Sequence, residues 1–169
     1  MILTLFNCAL FSAHAQLLED PAVSGVFTDH TGGYLGSGVS LADFNGDGQD
    51  DLSFGHHEGE LRFYVSGDDG FEEVDLGLIT PNAQSKGILW VDIDNDGDRD
   101  LFVAFRLAPN KLWLNDGALN MTDVSESCGI AQDDRRSFGP AFGDFDRDGL
   151  IDLFVSTYGY AVDVPQGNE

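Results

Sequence analysis

The sequence predicts an all-β protein, a partial β-propeller of four-stranded antiparallel blades whose strand-loop-strand turns bind calcium. Three observations carry that expectation. A nine-residue acidic pattern occurs three times, at 43–51 (DFNGDGQDD), 92–100 (DIDNDGDRD) and 144–152 (DFDRDGLID). The copies start 49 residues apart from Asp43 to Asp92 and 52 apart from Asp92 to Asp144, a period that indicates an array of supersecondary units. Between them, short β-rich runs alternate with Gly and Asp turn signals, and no segment shows a helical period.

Taken in chain order, residues 1–15 read as a signal peptide. Ile2 to Phe11 is mostly apolar and Ala13-His14-Ala15 supplies an A-x-A cleavage signal, although Lys and Arg are missing from its start. Residues 16–169 then form the propeller part. Val26-Phe27-Thr28-Asp29 resembles the last strand of each later unit, and so reads as an orphan outer strand that completes a final blade. The first blade comprises 38–42, the loop at 43–51, 52–54, 61–65, a turn at 66–70, and 71–76. The second repeats the order with 87–91, the loop at 92–100, 101–105, 111–114, an Asn-Asp-Gly turn at 115–117, and 121–124. The third supplies 139–145, the loop at 144–152 and 153–157. Four strands in about fifty residues is the size of a propeller blade. Two blades, half of a third and an orphan strand do not close a ring of four to eight, so the chain is expected to be the front of a longer protein. The remaining blades of that parent chain are then its first partners.

Charge narrows the function. The chain holds 30 acidic and 8 basic residues, a formal net charge of -22. Thirteen of the acids lie in the three loops: four in 43–51, five in 92–100 and four in 144–152. Phosphate polymers and anionic membrane surfaces are poor partners for such a surface. No stretch is long and apolar enough for membrane insertion. After signal cleavage Cys128 would be the one cysteine left, so no internal disulfide is expected, and Cys128 in Ser-Glu-Ser-Cys-Gly reads as a small packed residue.

Packing so many like charges into nine residues is costly unless a cation accompanies them. In the second loop Asp92, Asp94 and Asp96 occupy positions 1, 3 and 5, Gly97 permits the turn, Asp98 offers its carbonyl and Asp100 closes the site. The first loop offers Asp43, Asn45, Asp47, Gln49 through its carbonyl, and Asp51. The third offers Asp144, Asp146, Asp148, Leu150 through its carbonyl, and Asp152. An all-oxygen donor set disfavours zinc and copper, and loop flexibility favours calcium over magnesium, giving about three ions, one per loop. An EF-hand is excluded, because the position of its bidentate Glu is held by Phe54, Val103 and Val155. Asn45 in place of Asp lowers the charge of the first site.

These residues resemble a known family. Ala42 to Gly48, Val91 to Phe102 and Gly143 to Phe154 resemble FG-GAP/VCBS repeats of integrin α-like propellers and of secreted bacterial proteins. Pro109 to Gly117, followed by Met121 to Val124, resembles the ASPIC/UnbV and cartilage-acidic-protein-like branch. The resemblance implies a calcium-stabilised propeller, secreted or at the cell surface, that meets an extracellular protein or glycan ligand in recognition or adhesion. No catalytic residues are expected. The alternative is the propeller of a secreted polysaccharide lyase or hydrolase, whose candidate groups would be His56 and His57 beside Glu58 and Glu60, with Arg106 and Lys111. Asn120-Met121-Thr122 is a formal glycosylation sequon of little weight.

Overall fold

A computed structural model describes Val26, residues 37–56 and residues 60–158. The signal peptide at 1–15 and the orphan strand beyond Val26 lie outside the described residues. Within them the chain forms β1 (Val39–Ala42), β2 (Asp51–Phe54), β3 (Arg62–Gly67), β4 (Gly70–Val74), β5 (Gln84–Val91), β6 (Asp100–Arg106), β7 (Lys111–Asn115), β8 (Met121–Asp123), β9 (Ser137–Gly143) and β10 (Asp152–Thr157). Two antiparallel sheets have the order β1-β2-β3-β4 and β5-β6-β7-β8, and β9 pairs with β10 as the beginning of a third. The expected all-β blades are present.

The acidic loops link the first two strands of each unit and end inside the sheet. Asp51, Asp100 and Asp152 are already ladder residues, opposite Ala42, Val91 and Gly143. The third strand follows in the same register in both complete blades, with Leu52 opposite Tyr64 and Leu101 opposite Trp113.

Side chains alternate across a strand, and in this array the alternation decides which neighbour each residue meets. Leu101 and Val103 join Phe44, Phe63, Ile88, Trp90, Phe105 and Trp113 in the core between the first and second blades. Phe102, between them in sequence, points the other way, to a core with Leu112 of its own blade and Phe142, Leu153 and Val155 of the third unit. Leu52 and Phe54 pack with Tyr64 and Val26 on the far face of the first blade. Residues one and three places after each loop therefore face backward in the array, and the residue between them faces forward. Fully burying one large apolar side chain is worth about 1.5–3 kcal/mol, so these two seams hold the array together. Aromatic geometry adds to the first seam: Phe44 stacks on Trp90 at 4.7 Å, and the Trp90 indole donates to Ser53 Oγ at 2.8 Å. Across the second, Phe102 meets Phe142 edge-on at 5.8 Å.

The inner strands β1, β5 and β9 approach one another closely, and glycine makes the approach possible. A Cβ at Gly38 would lie 2.9 Å from the Lys86 carbonyl oxygen, and one at Gly87 would overlap the Pro140 ring.

Cys128 departs from expectation. It is exposed, because its N–H closes a single helical turn onto Val124 O that directs the side chain outward.

Candidate metal centres

Each loop winds around its first aspartate. In the first, Asp43 Oδ1 accepts from the N–H groups of Gly46 and Asp47 at 2.8 and 3.1 Å, and Oδ2 accepts from Gly48 at 2.9 Å. Asp92 and Asp144 accept in the same way from Gly97 and Gly149, both at 3.1 Å. Position 5 holds the next turn: Asp47, Asp96 and Asp148 accept from the N–H of Gln49, Asp98 and Leu150 at 2.8, 3.0 and 2.8 Å. These bonds order the backbone of each loop around its carboxylates.

The winding demands two left-handed residues per loop. Position 6 is Gly48, Gly97 or Gly149, with φ of 89°, 103° and 88°. Position 4 is also left-handed, and is Gly46 (φ 76°), Asn95 (φ 61°) or Arg147 (φ 64°). Glycine and asparagine adopt that conformation readily, whereas arginine does so at a cost.

The closing aspartates are tied to the sheet. Asp51 Oδ2 accepts from Phe44 N–H at 3.1 Å and its Oδ1 from Ser66 N–H at 2.9 Å. Asp100 accepts likewise from Ile93 at 2.9 Å and Asn115 at 3.0 Å. Both side chains are fully buried. Burial pushes both carboxyls above the usual carboxylate range, against the pull of those N–H donors, and the neighbouring acids add to the rise. A cation beside them would reverse that balance.

Two loops bring three carboxylates together. Oxygens of Asp92, Asp94 and Asp100 lie within 4.8 Å of one another, as do those of Asp144, Asp146 and Asp152. The first loop has the same winding, but Asn45 replaces the middle acid, and its side-chain amide donates to Asp47 Oδ2 at 3.0 Å. Asp92 Oδ1 is buried and has no hydrogen-bond partner among the described residues. A carboxylate oxygen withdrawn from water and left unpaired is costly, and a cation held by Asp92, Asp94 and Asp100 would satisfy it. Oxygen donors alone suit a hard divalent ion such as calcium.

One residue of these centres was hidden in the sequence. Asn115, read as the start of a turn, is 4% exposed and its backbone N–H donates to Asp100. Its side-chain amide donates to Phe44 O at 3.3 Å in the first loop and to Arg99 O at 3.2 Å in the second. Its Oδ1 accepts from Gly117 and Leu119 at 3.2 and 3.0 Å. Beside it a cavity of about 210 Å³ separates the two loops, lined in part by Asp43, Asn45, Asp98 and Arg99. An Asn at the first place of an Asn-Asp-Gly turn was the available signal, but its target lies 71 residues away.

The groups named for a catalytic alternative make separate hydrogen bonds among the described residues. His56 N–H donates to Ser85 Oγ at 2.8 Å, Arg106 Nε to the Tyr158 hydroxyl at 3.1 Å, and Lys111 Nζ to Asp123 at 2.7 Å. His57 and Glu58 lie outside the described residues. At the sequon, Asn120 donates its side-chain amide to Asp116 at 2.9 Å. No helix among the described residues is long and apolar enough to cross a membrane.

Antiparallel four-stranded blades, each opened by an aspartate-rich loop between its first two strands, define a β-propeller repeat protein of the acidic-loop kind. The pattern of the FG-GAP-like repeat matches residues 43–103 and 92–155, each match running from one acidic loop into the strand beyond the next. The chain belongs to the FG-GAP-like repeat family. It is 30% identical over 138 residues to Cartilage acidic protein 1 of Xenopus tropicalis, covering 72% of this chain and 20% of that protein. To Cartilage acidic protein 1 of Mus musculus it is 29% identical over 160 residues, covering 85% and 23%. The protein of that name from Homo sapiens is 30% identical over 138 residues, covering 72% and 20%. The chain thus spans about a fifth of the length of the curated relatives it matches.

Proposed function

We propose that this chain is a calcium-binding propeller module that works outside the cell in recognition or adhesion, without catalysis. The observation that carries the reading is Asp92 Oδ1, buried and unpaired within a cluster of three carboxylates. Bound calcium supplies positive charge and a cross-link between the two strands that each loop joins. Positions 1, 3 and 9 hold it through Asp43, Asn45 and Asp51, through Asp92, Asp94 and Asp100, and through Asp144, Asp146 and Asp152. Position 5 and the carbonyls of Gln49, Asp98 and Leu150 complete each set. The closing aspartate does structural work as well, since its other hydrogen bonds lock the loop to the sheet.

Relatives named for cartilage, a tissue built largely of extracellular matrix, support a secreted or surface location. A net charge of -22 favours a protein or glycan ligand over nucleic acid. The test is a thermal melt followed by far-UV circular dichroism, first with calcium and then with chelator. At a hundredfold excess over Kd each occupied site adds about 2.7 kcal/mol, a rise of many degrees in Tm. Identical melts in the two conditions would sink the reading.

A further inference from the structure

We propose that Asn115 couples the first two cation loops, so that 43–51 and 92–100 load as a pair. The inference rests on the cation-binding reading above and goes beyond it, from separate sites to a linked pair.

The link is short and fully specified. The Asn115 amide reaches forward in one loop and backward in the other, to Phe44 O at position 2 of the first and Arg99 O at position 8 of the second. Its backbone N–H holds Asp100, which closes the second loop. Phe44 in turn is held at three points: its carbonyl by Asn115, its N–H by Asp51, and its ring by Trp90 of the second blade. A second loop drawn tight around Asp92, Asp94 and Asp100 fixes Arg99 O and the Asn115 backbone. That fixes the amide, which sets Phe44 and, through its N–H, Asp51. The ordering cost shared by the two loops is then met once, which is the thermodynamic content of positive coupling, and by linkage it runs equally in both directions.

The first blade shows the same closure without such an arm. Ser66 occupies the equivalent register, since Tyr64 stands opposite Leu52 as Trp113 stands opposite Leu101. Its N–H holds Asp51 just as Asn115 holds Asp100, but its buried Oγ reaches no partner among the described residues. Backbone closure is common to both blades, and the Asn115 side chain adds to it a reach into the neighbouring loop.

Calorimetric titration of the chain with calcium tests the proposal, with the third loop silenced by Asp144→Asn and Asp146→Asn. Binding of the first ion should strengthen binding of the second at least about fivefold, the low end of typical coupling. Asn115→Ser, which keeps the backbone donor and shortens the arm to that of Ser66, should leave two ions bound and remove the enhancement. Two ions bound with the enhancement intact in Asn115→Ser would overturn the coupling while leaving calcium binding standing. No heat of binding in either protein would defeat the calcium reading and this inference with it. Should Asn115→Ser unfold, the native side chain gives the answer by NMR. With the second and third loops both silenced, calcium in the first should shift the Asn115 side-chain amide resonances and slow their exchange. Unchanged resonances would overturn the link.

Discussion

The loops at 92–100 and 144–152 share one pattern and one internal winding, yet they sit in different surroundings. In the second, Asp100 is fully buried and takes N–H donors from Ile93 and from Asn115 on the third strand of its blade. In the third, Asp152 takes Phe145 N–H at 2.8 Å, and Asp144 and Asp146 are exposed. Phe44, at position 2 of the first loop, is 1% exposed against the second blade, whereas Phe145 at the same place is 83% exposed. The nine residues carry their ligands with them. Burial, and the anchoring of the closing aspartate, come from the third strand and the next unit.

Several changes would break or sharpen that contrast. The largest effect is expected in the seam behind the second loop. Trp113→Ala should cost about 3–5 kcal/mol, while Phe154→Ala, removing a ring that is 71% exposed, should stay within about 0.5 kcal/mol. Denaturant unfolding measures both, and equal losses would mean the two units are packed alike. Next comes Ser53→Ala, which strands the buried Trp90 indole N–H and should cost about 1–3 kcal/mol in the same assay.

The closing aspartates sharpen the comparison further. Asp100→Asn deprives one of two buried N–H groups of its acceptor and should lower Tm more than Asp152→Asn when calcium is present. In chelator the gap should narrow, because the ionised Asp100 carboxylate is itself disfavoured by burial and its removal offsets part of the loss. A gap that widens in chelator would contradict the burial argument.

Smaller effects follow. Arg147→Gly relieves a left-handed arginine and should stabilise the third loop by up to about 1 kcal/mol. Asn95→Gly, starting from a residue that tolerates the conformation, should gain less. The smallest concerns Lys111 and Asp123. Burial raises Asp123, but hydrogen bonds from Lys111 and Ser125 outweigh it and hold the carboxyl below 3.8. A depressed carboxyl stabilises the fold above its unfolded value and loses that contribution as pH falls through its folded value. Lys111→Met should therefore cost about 0.5 kcal/mol near neutrality, given the exposure of the pair, and less as pH falls well below 3.8. A cost that holds steady into acid would show the effect to be packing.

The blades and loops were legible because their signals are local. Asp and Gly at fixed offsets specify the winding, and the β-rich runs between turns fall on the observed strands to within a few residues. Strand ends moved because the ladder takes in Asp51, Asp100 and Asp152, which look like loop residues by type and become sheet residues by pairing. Position 4 escaped notice because Gly46, Asn95 and Arg147 share a backbone conformation but no chemistry. Asn115 escaped because its role needs a carbonyl from the preceding blade, and Cys128 because a single turn between strands decides which way it points. What was missed depends on contacts between units, which periodicity within one unit does not encode.

The glycines at 38 and 87 have a mechanical consequence. Each stands five residues before its loop and lets one inner strand rest on the backbone or proline ring of the next. They act as the tapered joints of an arch, where the thickness of each joint sets the curvature of the span. Gly87→Ala would drive a wedge into one joint and splay the units on either side of it. An arc whose radius depends on a missing methyl group can be re-bent one joint at a time.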